Sequence, residues 1–157
     1  MGKKWFVTSL IFTMILAAML VGCKDDKSTN NDGGNLDSQY VGTWVFQSVT
    51  VNGDQASLAD VLDWNEGAIV AMLMIESDGG CTYQESDQYG NSVWNSYGTF
   101  AVDGDNFTIT FTSDSDGNLN PADITTGTVD VSETSMTITY VEGEATVVVT
   151  LAQAQSN

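Results

Sequence analysis

Arginine and histidine are missing from the 157 residues, and four lysines are the only cationic side chains. Lys3, Lys4, Lys24 and Lys27 all precede Ser28, whereas of the 21 acids only Asp25 and Asp26 do. A domain without cations cannot grip phosphate, sulfate or a nucleic-acid backbone through charge-assisted hydrogen bonds, so nucleic acid is excluded as a partner. The same lack removes the Arg–carboxylate pairing that would hold a fatty-acid head group in a dry cavity. Without histidine or a domain lysine there is no general base of the usual kind, and no Ser- or Cys-centred triad can be assembled. Only carboxylate pairs remain, such as Glu76 with Glu85, and no spacing singles them out for glycosidase-like chemistry. The expectation is a protein that is not an enzyme. Proline occurs once and cysteine twice, at Cys23 and Cys81, too few for a disulfide framework. Cys81 has no basic neighbour in sequence to lower its pKa and is expected as a buried, inert small hydrophobe.

What is present begins with a leader. Lys3 and Lys4 precede an apolar run from Trp5 to Val21, broken by Thr8, Ser9 and Thr13, that ends at Gly22 and Cys23. Basic n-region, apolar h-region and small residue at a cut point form the secretory pattern. A membrane span needs about 20 predominantly apolar residues, and this run is shorter and abuts Lys24, Asp25, Asp26 and Lys27. Leu20-Val21-Gly22-Cys23 resembles the lipobox of bacterial lipoproteins. That resemblance implies a signal peptide over 1–22 and a Cys23 that carries a diacylglyceryl group and fatty acyl chains of the palmitate kind. Each buried CH₂ of such chains adds about 0.8 kcal/mol of membrane affinity. Lys24-Asp25-Asp26 resembles the export signal of Bacteroidetes lipoproteins, implying an outer-membrane anchor and cell-surface exposure. An ordinary signal peptide or an uncleaved anchor helix are the competing readings.

Residues 23–38 are polar and rich in Asn, Asp and Gly, and read as a flexible tether behind the lipidated cysteine. Residues 39–157 have the size of one domain. Here short runs rich in Val, Ile, Thr and aromatics alternate with period two, predicting strands at 40–51, 68–76, 81–86, 93–102, 106–113, 125–131, 135–142 and 145–152. Ser77-Asp78-Gly79-Gly80, Asp103-Gly104-Asp105 and Glu142-Gly143-Glu144 are hairpin turn signals. Between the first two strands, Leu58, Val61, Leu62 and Trp64 fall at near-helical spacing, and Ser57 with Asp60 forms a capping-box pattern. The fold class expected is all-β: an eight-stranded up-and-down barrel with one short helix between strands 1 and 2. The helix would either cap a barrel mouth or pack on the outer wall.

Alternation nominates an inward face of Trp44, Phe46 and Ser48; Trp94, Ser96, Gly98, Phe100 and Val102; Phe107, Ile109 and Phe111; Met136, Ile138 and Tyr140; Val147, Val149 and Leu151. The run from Ala68 to Glu76 is apolar on both faces. Val41-Gly42-Thr43-Trp44 leading into Val45-Phe46 resembles the Gly-x-Trp opening strand of lipocalin-like domains in small bacterial lipoproteins. Ile75 to Tyr83 and Tyr97 to Thr110 fit the same pattern. The resemblance implies a tryptophan packed across the closed end and a barrel able to hold a small, neutral hydrophobic ligand. Trp44, Phe46, Met72, Met74, Trp94, Phe100 and Phe111 are then the candidate cavity residues. A solid barrel serving as a structural or interaction module is the alternative, its acidic surface meeting a protein, a glycan or Ca²⁺. Either way the expected form is a monomer without a resident cofactor.

Two further stretches carry chemistry. From Thr112 to Asp123, the residues Asp114, Asp116 and Asp123, with Asn118 between them, partly match a calcium-loop template and make weak Ca²⁺ binding an expectation. The template needs a carboxylate at its first position, where Thr112 stands. Tyr83, Tyr89, Trp94 and Tyr97 surround the segment 87–92, and exposed rings there would suit stacking on sugars; Tyr83 and Trp94 as core residues is the plainer reading.

Overall fold

The computed structural model describes residues 36–154. The predicted lipobox, Cys23 and the first part of the tether lie outside them. The elements run β1 (Gly42–Val51), β2 (Asp54–Ala56), α1 (Leu58–Val61), β3 (Val70–Ile75), β4 (Gly80–Ser86), β5 (Ser92–Asp103), β6 (Asn106–Asp114), β7 (Gly117–Val131), β8 (Ser135–Glu142) and β9 (Ala145–Gln153). Every pairing is antiparallel. From β3 onward each strand pairs with the next, β1 pairs with β3, and β1 also pairs with β9. The sheet thus closes on eight strands, the up-and-down, lipocalin-like barrel expected from the sequence. β2 is a three-residue return strand on β1, reached through a tight turn at Asn52 and Gly53, both at positive φ (53° and 90°). Asn-Gly suits such a turn because Asn tolerates the left-handed conformation and glycine has no Cβ to clash.

α1 is a single turn. Its Ser57 side chain accepts from the Asp60 N–H at 3.4 Å, the cap that the pattern predicted. Leu58 and Val61 pack against the barrel core, while Leu62, Asp63 and Asn65 just beyond lie over the interior. The helical segment therefore caps a mouth rather than covering the outer wall.

Three details depart from the periodic reading. A bulge between Phe46 and Ser48 shifts the β1 register. Trp44 points inward before it, but Val49, fully buried, takes the inward place after it, so Ser48 is displaced to the outer face. In β3 the buried residues are Ala71, Leu73 and Ile75, which leaves Met72 and Met74 on the opposite face. The two methionines are accordingly not wall residues of the interior; where both faces of a strand are apolar, alternation cannot say which is inside. Finally, β7 starts at Gly117 and not at 125, because Ser113 and Asp114 pair with Asn118 and Gly117 to make a tight hairpin. Residues 119–122 then leave the ladder before pairing resumes at Asp123↔Phe111.

The interior has two zones. At the end where β1 begins, Leu36, Tyr40, Trp44, Ile75, Cys81, Phe100, Phe107, Val129, Met136 and Leu151 are buried together. Trp44 is 0% exposed and its Nε1–H donates to the Tyr40 carbonyl at 2.8 Å. Tyr40 tilts against Phe100 at 6.0 Å between ring centres, and Phe100 stacks on Phe107 at 6.3 Å. Leu36 donates its N–H to the Ser77 carbonyl at 2.8 Å, so the last residues of the segment read as tether belong to the barrel's packing. This end is closed by side chains. The other end, under α1, is not.

Candidate functional site: the cavity beneath the α1 turn

A cavity of about 450 Å³ occupies the α1 end of the barrel. Phe107 and Ile109 form its floor against the closed zone, and its walls include Phe46, Leu73, Tyr83, Trp94, Ser96, Phe111, Thr125, Ile138, Tyr140 and Val149. Leu62, Asp63 and Asn65 reach it from the turn after α1. The volume lies within the range of about 300–1,000 Å³ usual for small-molecule sites, and such sites are apolar with a few placed polar groups.

The rings are arranged around Tyr83. Phe46 meets it edge-on at 5.7 Å and 90°, and Phe111 is tilted against it at 6.4 Å. Trp94 Nε1–H donates to Ser96 Oγ at 3.3 Å, which satisfies the indole and leaves its ring for the wall. Of the predicted cavity residues, Phe46, Trp94 and Phe111 line the void. Trp44 and Phe100 belong to the closed zone, and Leu73 takes the place assigned to Met72 and Met74.

One polar group in this apolar chamber was not singled out by the sequence. Glu85 is 1% exposed and lines the cavity. Its Oε2 accepts from the Asn65 backbone N–H at 2.8 Å and from Asn65 Nδ2 at 3.1 Å, and its Oε1 accepts from the Tyr83 hydroxyl at 3.1 Å. Three donors satisfy most of a carboxylate's acceptor positions and make its burial tolerable. They also tie the α1 turn to β4. Burial, together with the negative field of Glu85, pushes the Tyr83 phenol well above its ordinary range, so it stays protonated and donating. Trp64 Nε1 is buried and without a well-formed hydrogen-bond partner, its N–H favouring the Tyr83 oxygen only weakly. The signal for Glu85 was its place in the period: Cys81, Tyr83 and Glu85 share one strand face, and an acid on an inward face is rare unless held.

The remaining sequence candidates separate. Glu76 is exposed, next to the β3–β4 hairpin at the closed end, so it and Glu85 form no acid pair. Asp114 Oδ1 accepts from the Asp116 and Gly117 N–H groups at 2.8 and 3.1 Å within the β6–β7 turn. Asn118 is exposed in the first pairs of β7, and Asp123 lies at the cavity. Among the described residues no three His, Cys, Asp or Glu side chains converge to hold a metal. Tyr89 is 79% exposed and Tyr97 46%, while Tyr83 and Trp94 face inward. No helix among the described residues is long and apolar enough to cross a membrane.

No family model and no curated protein matches the chain. Among solved structures it is similar to a "REP1-NXSQ fatty acid transporter", with 11% identity and a TM-score of 0.41, over 74% of this chain and 97% of that one. That degree of similarity leaves any functional reading to rest on the cavity itself.

Proposed function

We propose that this protein is a lipid-anchored binding module: a lipoprotein held to the outer membrane through Cys23, its barrel displayed at the cell surface and holding a small, mainly hydrophobic molecule. The observation that carries the reading is the division of the interior, packed at one end and hollow at the other over about 450 Å³. A barrel serving only as a scaffold gains by filling that space, since lost contacts around a void cost stability. The aromatic lining supplies apolar area, and the α1 turn provides a cover tied down by Asn65 and Glu85.

The test is titration with the neutral apolar fluorophore N-phenyl-1-naphthylamine, using the chain from Lys24 onward and a Thr125→Phe variant. Thr125 lines the cavity and is half-buried, so a ring there grows into the void. Saturable binding at one site that the variant loses supports the reading; equal binding by both proteins contradicts it. For the anchor, Cys23→Ser should give a chain that takes up no labelled palmitate in cells.

A further inference from the structure

The cavity's charges are of one sign. Asp63, Glu85 and Asp123 line it, and no lysine, arginine or histidine exists in the barrel to offset them. Asp63 and Asp123 are exposed and solvated, but Glu85 is 1% exposed and its three partners are neutral donors. An ionised carboxylate offers about four acceptor positions. Oε2 accepts twice from Asn65 and Oε1 accepts from the Tyr83 hydroxyl, so both oxygens are hydrogen-bonded while none of the partners carries a positive charge.

From this we infer that the ligand is an amphiphile whose polar end is a protonated amine, with Glu85 as its receptor and the Phe46, Tyr83, Trp94 and Phe111 rings around its apolar body. The inference rests on the binding-module reading and narrows it. An ammonium group would give Glu85 the countercharge that its neutral donors do not supply, and charge-assisted bonds are roughly twice as strong as neutral ones. The aromatic rings that line the same cavity accommodate an organic cation better than an aliphatic wall would. A carboxylate-headed amphiphile would meet the reverse: like charge at Glu85, where burial strengthens the repulsion, and at the solvated Asp63 and Asp123, where water weakens it.

Three probes with one chain separate the cases: decylammonium, decanol and decanoate, titrated calorimetrically at neutral pH into the chain from Lys24 onward, which retains the whole described barrel. The expected order is decylammonium about ten-fold or more tighter than decanol, with decanoate weakest. Glu85→Gln should bring decylammonium close to decanol without weakening decanol, and Asp123→Asn should leave the preference in place. Should the Gln variant fail to fold, the wild-type protein decides alone. In about 0.5 M salt the attraction of the acidic surface is screened over a few Å, whereas a desolvated contact is not. A preference for decylammonium that survives salt supports the inference. A preference that disappears in salt, persists in Glu85→Gln, or is matched by decanoate overturns it. Decanol binding without any amine preference sinks this inference and leaves the binding module standing; binding of none of the three removes both.

Discussion

Asn65 and Glu85, twenty residues apart, are joined by two hydrogen bonds to a single carboxylate oxygen: the Asn65 backbone N–H at 2.8 Å and its side-chain amide at 3.1 Å. The first fixes the chain that follows α1; the second fixes the side chain that lines the cavity. Together they make the mouth's cover part of the barrel wall.

Asn65→Ala keeps the backbone bond and loses the amide bond, and should lower stability by about 1–2 kcal/mol, read from the urea midpoint. Glu85→Ala orphans the Asn65 amide groups and the Tyr83 hydroxyl and should cost more, about 3 kcal/mol. Equal midpoints for wild type and Asn65→Ala would mean that the latch contributes nothing.

Alkali should loosen the fold in a predictable window. Burial pushes the Cys81 thiol up to about 12, and Tyr83 and Tyr140 are also raised by burial, with Glu85 and Glu142 as their respective charged neighbours. Above the ordinary thiol and phenol ranges the unfolded chain releases these protons while the folded one retains them. Stability is therefore full below about pH 9 and falls as pH rises toward 12. Thermal unfolding from pH 7 to 11 checks this, and an ordinary thiol reagent at pH 8 should label Cys81 only after denaturation. A flat profile, or rapid native labelling, goes against a sealed closed end.

Gly127 sits where β7 passes β8 and the Phe107 ring. A Cβ there would lie 2.0 Å from the Thr139 carbonyl oxygen and 2.9 Å from Phe107 Cε1. The nearer obstacle is backbone, which cannot swing aside as a side-chain end can. Gly127→Ala should therefore cost roughly 3 kcal/mol, measured by chemical denaturation, and a neutral result would mean that the strands separate there more easily than the packing suggests.

The eight-strand closure was legible because nearly every strand alternates and nearly every link is a short Gly/Asp turn. The capping pattern at Ser57 and Asp60 likewise announced α1. Three things were not legible, each for a definite reason. The bulge at Gln47 adds one residue and leaves no mark in composition, so strict alternation puts Ser48 inside where the barrel buries Val49. Met72 and Met74 are as apolar as Leu73, and only the sheet's closure decides which side is the interior. Glu85 was visible as an acid in a strand, but its burial depends on Asn65 arriving from a separate turn, which no local pattern records. The hollow itself is a matter of volume: whether Phe46 and Phe111 meet across the barrel or leave a gap depends on tilt and shear.

The most direct test of the central claim, a barrel closed at one end and hollow at the other, is native mass spectrometry of the chain purified from its expressing cells, followed by organic extraction. The account predicts a reproducible mass increment of one small molecule per chain, recovered in the extract and absent from Thr125→Phe. A bare mass for wild type and variant alike, with no uptake of added apolar probe, would contradict it and make the barrel a scaffold.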